Sequence, residues 1–101
     1  MPELRAALNE WLERARSEFR LERAYLFGSF ARGDLHEGSD IDLVLIGPFE
    51  GKLPYRITKV LVTTDLPIQP LCYTPGEWEG MVRNQNAFAL EVMRTGRQLW
   101  R

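Results

Sequence analysis

The chain has 101 residues, 45% apolar and 11% aromatic, which suits one domain over residues 1–101 with a packed core and argues against intrinsic disorder. Thirteen Lys and Arg stand against 14 Asp and Glu, a net charge of −1, so there is no basic excess of the kind that general nucleic-acid binding needs. Cys72 is the lone cysteine and cannot form an intrachain disulfide, residues 1–20 are charged throughout, and no apolar run is long enough to span a membrane; the expected location is a reducing cytoplasm.

Pro2 suits the first turn of a helix, where its missing N–H costs nothing. Leu4, Leu8, Trp11, Leu12, Ala15 and Phe19 then recur at helical spacing, with Glu3, Glu10, Glu13, Arg14 and Arg16 on the other side. This predicts an amphipathic helix laid on a core; a partner-binding helix is the alternative. A first strand is expected over residues 22–28 and a second over 39–46, closed by Gly47-Pro48. Between them runs Gly28-Ser29-Phe30-Ala31-Arg32-Gly33-Asp34-Leu35-His36-Glu37-Gly38-Ser39-Asp40-Ile41-Asp42, the most informative stretch of the chain.

Tyr55 to Thr64, begun by Pro54, reads as a crossover helix in spite of β-branched Val60, Val62, Thr63 and Thr64. Ile68 to Tyr73 reads as a third strand, with Pro70 marking an edge or a bulge. Thr74-Pro75-Gly76-Glu77 has the form of a capping box and predicts a helix to Arg83. Asn84-Gln85-Asn86 breaks that helix, and Asn86 caps a last one through Arg94, with Gly96 as its stop and a short strand over 97–100. Trp78, Met81, Phe88, Val92 and Met93 fall at helical spacing as core, and Cys72, without basic neighbours, as a small buried apolar group. The order predicts an α/β (α+β) domain, one mixed sheet of about four strands with helices packed on it.

Asp40 and Asp42 lie one residue apart at a strand start, so their side chains share a face. Paired carboxylates repel unless a cation lies between them, and hard oxygen ligands suit Mg²⁺ bound together with substrate phosphates. Gly28 lets backbone approach a ligand, and the N–H groups that follow it attract phosphate. Read blandly, Asp40 is a turn residue and Ser29 a helix cap. Arg32 either reaches a phosphate or pairs with Asp34 or Glu37. His36, the only histidine, reads as a solvated loop residue.

Glycine-serine, ten residues, then Asp-x-Asp resembles the signature of the nucleotidyltransferase superfamily that includes polymerase beta. At this length the chain resembles the minimal nucleotidyltransferases, which are usually encoded beside a HEPN-domain partner. Tyr73-Thr74-Pro75-Gly76-Glu77 is similar to their Y-T-P-x-E, and Glu91 to Trp100 to their closing helix and strand. The resemblance implies a nucleotidyltransferase fold. It also implies Mg²⁺ held by Asp40 and Asp42, ATP as substrate, and a triphosphate received by Gly28 and Ser29 with Arg32 near it. The implied reaction is transfer of AMP to a hydroxyl on a protein, a tyrosine of a HEPN toxin, the chain serving as the antitoxin in a hetero-oligomer, or as a homodimer when alone. Active relatives carry a third acidic residue on the neighbouring strand, and counting back from Tyr73 puts Gln69 there. A neutral amide cannot take a proton, so the alternative is a catalytically degenerate, nucleotide-binding antitoxin that neutralises HEPN by complex formation. An aminoglycoside-type transferase is a weaker third reading, because the chain has no second domain to cover an acceptor. Asp65 could replace the missing carboxylate only by an unusual route.

Overall fold

A computed structural model describes residues 2–28 and 40–100. Helix α1 spans Pro2–Glu18, followed by strands β1 (Arg23–Phe27) and β2 (Ile41–Ile46), helix α2 (Leu53–Leu61), and strand β3 (Ile68–Tyr73). Helices α3 (Pro75–Arg83) and α4 (Ala87–Thr95) and the two-residue strand β4 (Arg97–Gln98) complete the order. The sheet runs β3-β2-β1-β4, with β2 parallel to β3 and antiparallel to β1. It is mixed, with helices on both faces, as the sequence pattern predicts.

Strand β2 is central, and Ile41, Leu43, Val44, Leu45 and Ile46 are all fully buried. A strand covered on both faces needs apolar residues at every position, and Asp42 is its one exception. On one face α1 and α2 bury Leu8, Trp11, Leu12 and Val60 against Leu26, Ile41, Leu43, Leu45 and Cys72. On the other, α3 and α4 bury Trp78, Ala89 and Val92 against Tyr25, Val44 and Ile46. The apolar stripe of α1 is therefore spent on the core, and the partner-binding alternative for that helix does not hold. Trp11 Nε1 donates to Thr63 Oγ1 at 3.0 Å, tying α1 to the end of α2.

Strand β3 is an edge, and its pattern explains Pro70. Ile41 N–H donates to Pro67 C=O and Gly47 N–H to Tyr73 C=O. Alternate residues of a strand turn their amide groups to opposite sides, so Ile68, Pro70 and Cys72 face out of the sheet. Pro70 thus lacks a donor only where no ladder bond is made. The Cys72 carbonyl accepts from Arg56 Nη1 at 3.2 Å. Arg56, buried on α2, also makes a bidentate pair with Glu77 on α3, at 2.7 and 3.2 Å. The two helices are clasped across the strand edge, which blunts it against pairing with another chain.

Several boundaries move. Helix α2 starts at Leu53 and ends at Leu61, ahead of Val62, Thr63 and Thr64, where β-branched residues crowd the helix. The last strand shortens to Arg97–Gln98, although Leu99 N–H still bonds Ala24 C=O at 2.9 Å. Gly96 ends α4 with φ −76°, outside the left-handed region. Its glycine is required sterically instead: a Cβ would meet Val92 O at 2.5 Å and Leu26 O at 3.2 Å. The capping box forms as expected, with Glu77 N–H donating to Thr74 Oγ1 and Thr74 N–H to Glu77 Oε1. Met93 is 46% exposed and is not a core residue, because α4 turns Ala89 and Val92 to the sheet.

Candidate active site

The site is built where β1 ends and β2 and β3 begin. Asp42 pairs in register with Phe27 of β1 on one side and Gln69 of β3 on the other. Strand alternation places Phe27, Asp42, Gln69 and Leu71 on the α3–α4 face. Helices cover that face over Val44 and Ile46 but leave its Asp42 end open. Asp40 lies one residue before β2 and is exposed. The Gln69 amide brings it into the group: Nε2 donates to Asp40 Oδ2 at 2.7 Å.

Gly28 closes the β1 side. Its φ of +73° lies in the left-handed region, and a Cβ there would come within 2.4 Å of Asp42 Oδ2. A side chain is thus excluded twice, by backbone conformation and by the carboxylate packed over it. Burial, and then the negative charge of Asp40, push the Asp42 carboxyl above its ordinary pKa. Among the described residues no Lys or Arg pairs with Asp40 or Asp42. Two oxygen-donor carboxylates, one half-buried and destabilised by the other, form a donor set that fits Mg²⁺.

Beside the carboxylates a cleft of about 440 Å³ is lined by Phe27, Ile57, Leu61, Leu71 and Phe88, with Asp42 and Gln69 as its polar end. Phe27 and Phe88 meet edge to face, 5.4 Å between centroids. The sequence offers a weak signal for this wall, since Phe27 directly precedes Gly28 and the other members come from four separate elements. A larger cavity of about 760 Å³ lies between α2 and α3, away from the carboxylates. It is lined by Lys52 and the Arg56–Glu77 pair and holds neither Asp40 nor Asp42.

Of the sequence-predicted residues, Gly28, Asp40, Asp42 and Gln69 converge. Ser29, Arg32 and His36 lie outside the described residues. Asp65 lines a separate hollow with Glu10, Trp11 and Arg14 of α1 and does not line the cleft that holds Asp42 and Gln69. Among the described residues no cluster of three or more His, Cys, Asp or Glu forms a metal site, in keeping with an amide at position 69.

A protein from Methanocaldococcus jannaschii, a candidate protein adenylyltransferase, is 42% identical over 43 residues, which cover 41% of this chain and 43% of that protein. The chain thus aligns with less than half of that relative. Among solved structures, a candidate nucleotidyltransferase from Sulfolobus solfataricus superposes with a TM-score of 0.62 at 22% identity, covering 97% of this chain and 79% of the other. A chain of a toxin–antitoxin complex crystallised with AMP-PNP gives 0.58 at 20% identity, covering 90% and 71%. These two likenesses establish the fold. A match to the nucleotidyltransferase domain over residues 8–83 runs through both strands around the carboxylates and the edge strand that carries Gln69, and the chain therefore belongs to the nucleotidyltransferase domain family.

Proposed function

We propose that the protein transfers AMP from ATP to a hydroxyl on a protein partner, a tyrosine of a HEPN toxin, as the antitoxin of a toxin–antitoxin pair. The single observation that carries this reading is the Asp40–Asp42 pair, packed against a left-handed Gly28 at the open end of the sheet. The toxin–antitoxin neighbour and the adenylyltransferase relative support the choice of partner and nucleotide. Residues 1–101 act as one minimal domain in this reading, in a reducing cytoplasm; no helix among the described residues is long and apolar enough to cross a membrane.

Asp40 and Asp42 would hold Mg²⁺, which when bound neutralises phosphate charge and so eases attack at phosphorus. Gly28 would receive the triphosphate on the β1 side; Ser29 and Arg32, to which the resemblance assigns the same role, lie outside the described residues. The cleft on the β3 side then admits the acceptor hydroxyl next to Gln69. The hydroxyl oxygen bonds the α-phosphorus as the α–β phosphoanhydride breaks and pyrophosphate leaves; Gln69 has no basicity to take the hydroxyl proton, which passes to solvent. Gln69 is also the observation that favours a second reading, a degenerate antitoxin that binds nucleotide and neutralises its partner by complex formation.

The deciding experiment incubates the protein with Mg²⁺, α-labelled ATP and the HEPN protein encoded beside it, followed by mass spectrometry. Expected is AMP on a partner tyrosine, absent with Asp42→Asn. A stable complex without label supports the degenerate antitoxin. Separately eluting proteins with no label overturn both readings.

A further inference from the structure

We infer that Gln69 is a positioning residue for Asp40, and that the site is built for one divalent cation rather than two. The inference rests on the nucleotidyl-transfer reading. Register sets Gln69 opposite Asp42, on the face of the sheet that Asp40 joins. From there its Nε2–H donates to Asp40 Oδ2 at 2.7 Å, the short end of the range for an N–H bonded to a charged oxygen.

Asp40 needs this bond because it precedes β2, is exposed, and receives no other side-chain donor from the described residues. With Oδ2 engaged, Oδ1 of Asp40 and the Asp42 carboxylate form a seat with two carboxylates. A carboxylate at position 69 would face both acids and would need a second cation to relieve the repulsion. The amide relieves it without one, by supplying a donor and no charge. The substitution that removes a metal ligand thus also removes the need for the second metal.

The test counts Mn²⁺ taken up with AMP-PNP, by electron paramagnetic resonance, for wild type, Gln69→Leu and Gln69→Glu. Expected are one Mn²⁺ per bound nucleotide in wild type, about 5-fold weaker Mn²⁺ binding in Gln69→Leu from the lost hydrogen bond, and two Mn²⁺ in Gln69→Glu. Position 69 is exposed, and thermal midpoints measured without Mn²⁺, both well above the assay temperature, would show that the two variants stay folded. Two Mn²⁺ in wild type, or unchanged binding in Gln69→Leu, overturns the inference while leaving nucleotidyl transfer standing. No Mn²⁺ uptake with AMP-PNP in wild type overturns both.

Discussion

At the scale of single residues, each group at the open sheet end is constrained by its neighbour. Gly28→Ala forces a side chain into a left-handed backbone at about 1–2 kcal/mol and displaces Asp42. Calorimetry should show weakened Mg-ATP binding, whereas Gly76→Ala, where a Cβ meets nothing, should bind as wild type. For catalysis, Gln69→Glu should raise AMP transfer, since losing general-base help costs about 10²- to 10⁴-fold. Brisk wild-type transfer that Gln69→Glu leaves unchanged or lowers would mean that the acceptor brings its own base. Cys72 has no exposed surface, and burial pushes its thiol up to about 12, so it should resist thiol reagents at pH 8 until denaturant is added.

At the scale of elements, the Arg56–Glu77 clasp joins α2 and α3 across β3. Glu77 is also the N3 residue of the capping box, so one carboxylate serves two structures. Arg56 and the Thr74 backbone hold its pKa below the ordinary value. A depressed carboxylate stabilises the fold above its unfolded pKa, and that contribution fades as pH falls through the lower folded value. Glu77→Gln should therefore cost about 1–2 kcal/mol near pH 7, a modest figure because the Glu77 side chain is half exposed. Urea unfolding should show the gap to wild type closing below about pH 4. A gap that stays constant from pH 7 to pH 3 would mean that shape, not charge, is what Glu77 contributes.

At the scale of the whole molecule, the sheet separates two cores, and α1 closes the larger of them. Trp11 is 2% exposed and its indole N–H has one partner, Thr63, at the far end of α2. Trp11→Ala should cost about 3–5 kcal/mol in denaturant unfolding, through the cavity left in the core and the lost bond to Thr63. Trp78 is equally enclosed, and Trp100 is packed under the Arg16 guanidinium, 5.0 Å from its ring. The three tryptophans and the α1 stripe therefore leave little apolar surface for a partner. Among the described residues, the large apolar side chains left exposed are Tyr55 and Leu61 on α2, Val62 just past its end, and Leu90 and Met93 on α4.

Much of the fold was legible because its signals are local. The α1 stripe, the Thr74–Glu77 capping box, the Asn86 cap and the proline in an edge strand each depend on residues within a few positions of one another. That Asp40 and Asp42 share a face was legible too, because strand alternation aligns a face before any partner is known, while the place of Gln69 came from the resemblance, by counting back from Tyr73. Only tertiary structure decided that Arg56 and Glu77, 21 residues apart, close the β3 edge. It likewise decided that Gly96 is needed for space rather than for a left-handed turn. The bond from Gln69 to Asp40 spans 29 residues and exists because β2 and β3 run parallel in one register. Sequence determines which chemical groups a strand can present; which of them meet is determined by how the strands are paired.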